Sequence, residues 1–320
     1  MNVDLQRLGK LRRMTRLASD DGFFLVAAMD HPENYLELFD KDISLVPHAT
    51  VVESKMELLA ALSRHASAVL VDPMWSLGQG VATRTLPGGV GMIAPIEQLS
   101  YTPTGWGLET RLRPQWTVEK IAALGADGVK LFLFYRAELA DVAEGQRKLV
   151  AELAVQCEHW QVPLIVEPIW YPLEGEDPGD PAVQRARATA IAASAAEFAR
   201  LGVDILKMQF PGSAQACEEL DSAAGGVPWV LLSEGAGYAD FEQQMEIAAR
   251  AGASGYIAGR AVWGDAVGPL SDAEALPRAQ KRLVSLNEIV RRHGRPWRDA
   301  VPVGEVAEAM PATWYESFRR

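Results

Sequence analysis

Short apolar runs alternate along the chain with longer segments whose apolar positions recur every three or four residues. That is the pattern of buried strands each followed by an amphipathic helix. Eight runs read as strands: Phe23–Met29, Ala68–Asp72, Gly91–Ala94, Asp127–Phe134, Pro163–Pro168, Val203–Gln209, Trp229–Ser233 and Ser254–Ala258. Helical spacing is expected over Val51–His65, Thr117–Leu124, Ala140–Trp160, Pro181–Leu201, Ala214–Ala223, Tyr238–Ala251 and Leu276–His293. Three helices run into small residues before the next strand, at Leu124-Gly125-Ala126, Leu201-Gly202-Val203 and Ala251-Gly252-Ala253. Glycine there relieves the left-handed turn that ends a helix.

Eight strand–helix alternations, with no low-complexity linker and no break in composition, favour an α/β fold: a single (β/α)8 TIM barrel spanning residues 1–320, with 295–320 as a C-terminal extension. A doubly wound sheet is the competing architecture. The third strand, near Met92, has turn-rich surroundings in Pro87-Gly88-Gly89 and Pro103–Gly107. Leu173–Pro181 reads as an ordered excursion above the fifth strand, where loops border an active site. The tail carries Trp297, Trp314, Tyr315 and Phe318 amid charge, and is expected to pack on the barrel or across a subunit contact, which leaves a homo-oligomer open.

The 320 residues are 48% hydrophobic, enough to bury a core without disulfides or metals. A net charge of −11 opposes general attraction to nucleic acid or an anionic membrane, so neither is expected as a partner and any anion site must be local. Cys157 and Cys217 lie far apart with no C-x-x-C, which points to a reduced, cytoplasmic setting. No signal-like or membrane-length apolar stretch is present in the sequence. The five histidines show no H-x-H or H-x-x-x-H spacing, so no metal is expected. Trp75, Trp106, Trp116, Trp170 and Trp263 read as packing or loop residues, with Trp75 and Trp170 placed after strands where a pocket would form.

In a barrel the chemistry sits where strands end. Asp30, Asp72 and Glu167 stand at such ends, and Lys130 and Lys207 lie inside apolar strands. Unpaired buried charge costs several kcal/mol, so such groups persist when they neutralise one another or act on a substrate. The chain has 8 lysines among its 31 basic residues, and two of the 8 occupy strands. A desolvated lysine can lose its proton near neutral pH, attack a ketone and form an iminium that stabilises the carbanion left by C–C cleavage. Lys207 is the candidate nucleophile and Glu167, one strand before it, the proton shuttle; Asp30 or a water serves the hydroxyl at the cleaved bond, and Lys130 lowers the Lys207 pKa by like-charge repulsion. Asp72-Pro73 has the simpler reading of a turn start. A phosphate site is expected in the loops after strands seven and eight, where Ser233, Gly235, Gly259 and Arg260 offer backbone N–H groups, a hydroxyl and a guanidinium. Glu234 is an awkward neighbour for an anion and should point away or pair with a base. His31, beside Asp30, is placed to touch substrate.

These motifs resemble the class I tagatose 1,6-bisphosphate aldolase family and its relative, sulfofructose phosphate aldolase. The matching pieces are Ala28-Met29-Asp30, Ser54-Lys55, Leu70-Val71-Asp72-Pro73, Gly128-Val129-Lys130-Leu131-Phe132, Ile165-Val166-Glu167, Asp204-Ile205-Leu206-Lys207, Leu232-Ser233 with Gly235, and Ala258-Gly259-Arg260-Ala261-Val262-Trp263. The resemblance implies a metal-independent barrel without a cofactor, a Schiff base on Lys207 with Glu167, Lys130 and Asp30 as partners, Lys55 and Asp72 at the substrate, and release of dihydroxyacetone phosphate. The chain departs from the family's Asp-Gln-Arg at Asp30-His31-Pro32, which weakens the case for a second strong anion on the sugar. The expected function is reversible cleavage of a ketose phosphate to dihydroxyacetone phosphate and an aldehyde. The alternatives are a deoxyribose-phosphate-type aldolase with another donor and a non-catalytic sugar-phosphate-binding barrel.

Overall fold

The computed structural model describes residues 5–104, 107–269, 271–298 and 303–318; Trp106 lies outside them. Its barrel strands, numbered here in chain order, are β1 (Phe24–Ala28), β2 (Ala68–Leu70), β3 (Gly91–Pro95) and β4 (Gly128–Phe134). They continue as β5 (Leu164–Ile169), β6 (Ile205–Met208), β7 (Trp229–Leu232) and β8 (Gly255–Ala258). Every neighbouring pair is parallel and the sheet closes on itself, with Leu25 of β1 opposite Tyr256 of β8. Closure decides against the doubly wound alternative and places all eight expected strands.

Side chains alternate between the two faces of each strand. On β4, Val129, Leu131 and Leu133 point outward into the large core shared with the surrounding helices. Inward-facing Phe24, Val26, Ile93, Ile165, Ile205, Val230 and Ile257 fill the barrel interior. The helices start and stop as their sequences predict. Thr117, Asp180 and Ser213 accept hydrogen bonds from the first free amides of the helices they precede. Gly125, Gly202 and Gly252 all have φ near +90 to +110° (92°, 87° and 109°), the left-handed ending expected of them.

Two of the elements that were not expected bear on the barrel's ends. A helix over Leu8–Leu17 inserts Met14 and Leu17 into the inner core at the N-terminal end of the strands. An antiparallel hairpin, Glu97–Thr104 with Gly107–Leu112, follows β3 where turn-rich sequence had suggested loop. The Leu173–Pro181 excursion is held down by Arg136, whose guanidinium pairs with Glu176 at 2.7 Å and stacks 4.8 Å over Trp170.

Candidate active site

Continuing the inward register past the apolar layer gives the site. Phe24, Val26 and Ala28 lead to Asp30, Ile165 leads to Glu167, and Ile205 leads to Lys207. On β4 the same parity gives Lys130, and beyond β3 it gives Glu97. Five ionisable groups therefore form the layer above the apolar plug, each no more than 6% exposed. Asp30, Lys130, Glu167 and Lys207, with His31, Pro32, Glu33, Asn34 and Phe132, line a cavity at the C-terminal mouth that opens to solvent.

Lys207 Nζ lies 2.8 Å from Glu167 Oε1, and the other oxygen of that carboxylate is 3.0 Å from Lys130 Nζ. Lys130 also contacts Asp30 at 3.0 Å and Glu97 at 2.7 Å. Burial by itself would discharge Lys130, but Asp30, Glu167 and Glu97 outweigh it and raise its pKa well above the ordinary lysine value. Burial would also raise Glu167 and Asp30; Lys130 and Lys207, with His31 acting on Asp30 as well, hold both carboxyls below their usual range. Glu97 goes the other way, because its desolvation exceeds what Lys130 returns. Glu167 thus stands between the two ammonium groups, and three carboxylates surround Lys130. Lys130 thereby helps to keep Glu167 and Asp30 ionised.

The predicted phosphate loops meet beside this cavity. A Cβ built on Gly235, whose φ is +76°, would lie 3.7 Å from Arg260 Nη2, so the two loops touch. Among the described residues Arg260 has no carboxylate within ion-pair distance, and Ser233, two residues before Gly235, is buried. Gly259 packs under the His31 ring, where a Cβ would come within 2.6 Å of His31 Cε1. His31 therefore joins the cavity to the phosphate loops. Burial lowers its pKa to about 4, with Lys207, Arg260 and Lys130 adding to the shift and Asp30 opposing it. Glu234 turns away, accepting from Arg187 at 2.8 Å and from Gln209.

Lys55 and Asp72 are not where the resemblance implied. Lys55 is fully buried, 2.5 Å from Asp72 Oδ2 and 2.8 Å from the Met29 carbonyl, under the Tyr35 ring at 4.6 Å. Asp72 also accepts from the amides of Met74 and Trp75 and from the Ser76 hydroxyl. Neither lines the cavity. The pair braces the ends of β1 and β2, and Asp72 starts a turn, as its Asp-Pro sequence suggested. Glu97 was missed because Pro95 and Gln98 flank it in a turn-rich stretch; the alternation Ile93, Pro95, Glu97 is the signal that would have found it.

A closed barrel with a lysine–carboxylate cluster at its C-terminal mouth has its ionisable groups where barrel enzymes carry their chemistry. The model of the DeoC/LacD family aldolases matches residues 24–265, and the chain belongs to that family; it is an aldolase. The chain is 25% identical to tagatose 1,6-diphosphate aldolase 2 of Enterococcus faecalis, over 93% of this chain and 98% of that protein. Tagatose 1,6-diphosphate aldolase of Lactococcus lactis is 24% identical, over 91% and 98%. The fold is shared with a Schiff base-forming fructose-1,6-bisphosphate aldolase, at TM-score 0.61 and 19% identity over 88% of this chain and 99% of that one. Among the described residues no helix is long and apolar enough to cross a membrane.

Proposed function

We propose that this chain is a class I aldolase that cleaves a ketose phosphate to dihydroxyacetone phosphate and an aldehyde, in the cytoplasm and without a cofactor. The observation that carries the proposal is the 2.8 Å contact between Lys207 Nζ and Glu167 Oε1 under an open cavity. Glu167 takes a proton from the Lys207 ammonium, and the free amine adds to the substrate ketone. The same carboxyl returns the proton to the carbinolamine hydroxyl, water leaves and the iminium forms. Asp30, kept ionised by Lys130 at 3.0 Å, accepts the proton of the hydroxyl at the bond to be broken. The C–C bond then breaks, its electron pair passes into the iminium to give an enamine, and the aldehyde departs. Protonation at carbon and hydrolysis return the Lys207 amine and release the ketone product. Ser233, Gly235, Gly259 and Arg260 hold the phosphate, and His31 contacts substrate between phosphate and amine.

Borohydride reduction in the presence of dihydroxyacetone phosphate tests the proposal. One adduct is expected, on the peptide containing Lys207, and Lys207→Ala should lose both the adduct and retro-aldol turnover. An adduct on another lysine, or full activity in Lys207→Ala, would refute the assignment.

A further inference from the structure

We propose that the sugar cleaved here is a ketose monophosphate: its one phosphate lies at the Ser233–Arg260 loops, and the half released as aldehyde carries none. The inference rests on the aldolase reading and adds the substrate class. Its basis is the charge of the cavity that the rest of the sugar must occupy. The two cations that line it are Lys130 and Lys207. Lys130 is already matched by Asp30, Glu97 and Glu167 at 2.7–3.0 Å. Lys207 contacts Glu167 and, as the reacting amine, must give up its charge. The remaining wall comes from the segment just after β1, where Glu33 adds a further carboxylate and Asn34 a neutral amide. His31 is uncharged at neutral pH because burial holds its pKa near 4.

A second phosphate would enter this space as a dianion facing Asp30, Glu33 and Glu167 with no uncommitted cation among the lining residues. No rescue comes from the hairpin after β3. Residues 99–108 contain no Lys, Arg or His. Arg111 pairs with Glu109, and Arg113 turns to Met74 Sδ at 3.5 Å and does not line the cavity. Hydroxyl groups, by contrast, find acceptors in the carboxylates and both donor and acceptor in Asn34. Among the described residues Arg260, on the loop packed against His31, has no carboxylate partner, and one phosphate satisfies it.

The test compares the 1-phosphates of fructose and tagatose with their 1,6-bisphosphates, following release of dihydroxyacetone phosphate. The monophosphates should show a kcat/KM higher by roughly tenfold or more, the effect of one like-charge encounter at partly screened distance. Glu33 is exposed, so Glu33→Lys should fold normally and shift the ratio several-fold toward the bisphosphates, less so in added salt. Bisphosphates that match or outperform the monophosphates overturn the inference, as does a Glu33→Lys protein with the wild-type ratio. Borohydride trapping of dihydroxyacetone phosphate, read in the same samples, separates the two levels. Loss of the Lys207 adduct would bring down the aldolase reading itself, whereas an intact adduct with bisphosphate preference would bring down this inference alone. Where turnover is too slow to follow, the borohydride adduct that each ketose phosphate itself leaves on Lys207 gives the same comparison, with the monophosphates expected to form it at the lower concentration.

Discussion

Two residues that line the same cavity, Lys130 and His31, show how a buried charge is either matched or removed. Lys130 keeps its proton because three carboxylates lie within 3.0 Å. His31 is desolvated by burial, and its one carboxylate oxygen at 3.7 Å is opposed by three cations, so its ring stays neutral. The consequence can be measured. His31 should titrate near pH 4 in the native protein, against about 6.5 when unfolded. Between those values the unfolded chain binds a proton that the native chain refuses, so stability should fall as pH drops through that window. A histidine NMR titration checks this, and a His31 midpoint at or above 6.5 would show the ring to be solvated and charged. At this scale Asp30, Glu167, Lys130 and Lys207 were legible because they are the wrong residues for an apolar strand. Their pairing was not, since a strand position gives direction but no distance, and nothing in the sequence shows that Glu167 contacts both Lys130 and Lys207.

At the scale of elements, eight strands were legible because parallel strands buried on both faces are short apolar runs, and glycine endings at Gly125, Gly202 and Gly252 set their spacing. The hairpin after β3 escaped notice because its sequence, with Pro103, Gly105 and Gly107, carries the residues of a loop. Lys55 belongs here as well. It sits in the His48–Leu62 helix and joins that helix to the turn after β2 through Asp72, with both side chains almost wholly buried. Removing one partner strands the other charge in the core, so Lys55→Met should cost about 3–5 kcal/mol in a urea titration. Adding Asp72→Asn should recover part of that loss, while KM for the ketose phosphate stays at its wild-type value in the folded fraction. A loss below about 1 kcal/mol, the range of exposed pairs, together with a raised KM would return Lys55 to the substrate.

In the whole molecule the two ends of the barrel are built for different purposes. The C-terminal mouth carries the ionisable layer and the Ser233 and Arg260 loops, and the N-terminal end is sealed by the Leu8–Leu17 helix and the segment that carries Trp297. The Leu8–Leu17 helix lies so close beneath β3 that a Cβ on Gly91 would fall 2.5 Å from the Arg16 carbonyl. Lys10 of that helix pairs with Asp204, just before β6, at 2.8 Å, and Trp297 from the C-terminal segment packs 6.1 Å from Phe24. This seal was hidden in the sequence because Lys10, Arg12, Arg13 and Arg16 make the segment read as charged surface, although Met14 and Leu17, three apart, share one face. Leu17 is 0% exposed and fills the floor of the inner core. Truncating it to alanine leaves a cavity there, and Leu17→Ala should lower stability by about 2–5 kcal/mol. The apolar layer of Val26, Ile165, Ile205 and Ile257 separates that floor from the lysine cluster. At temperatures where the variant remains folded, its kcat, KM and borohydride adduct should therefore match those of the parent protein. Thermal unfolding and steady-state kinetics on the same preparation decide the matter: a Leu17→Ala protein that keeps its stability but loses substrate affinity would mean that the two ends are not separate.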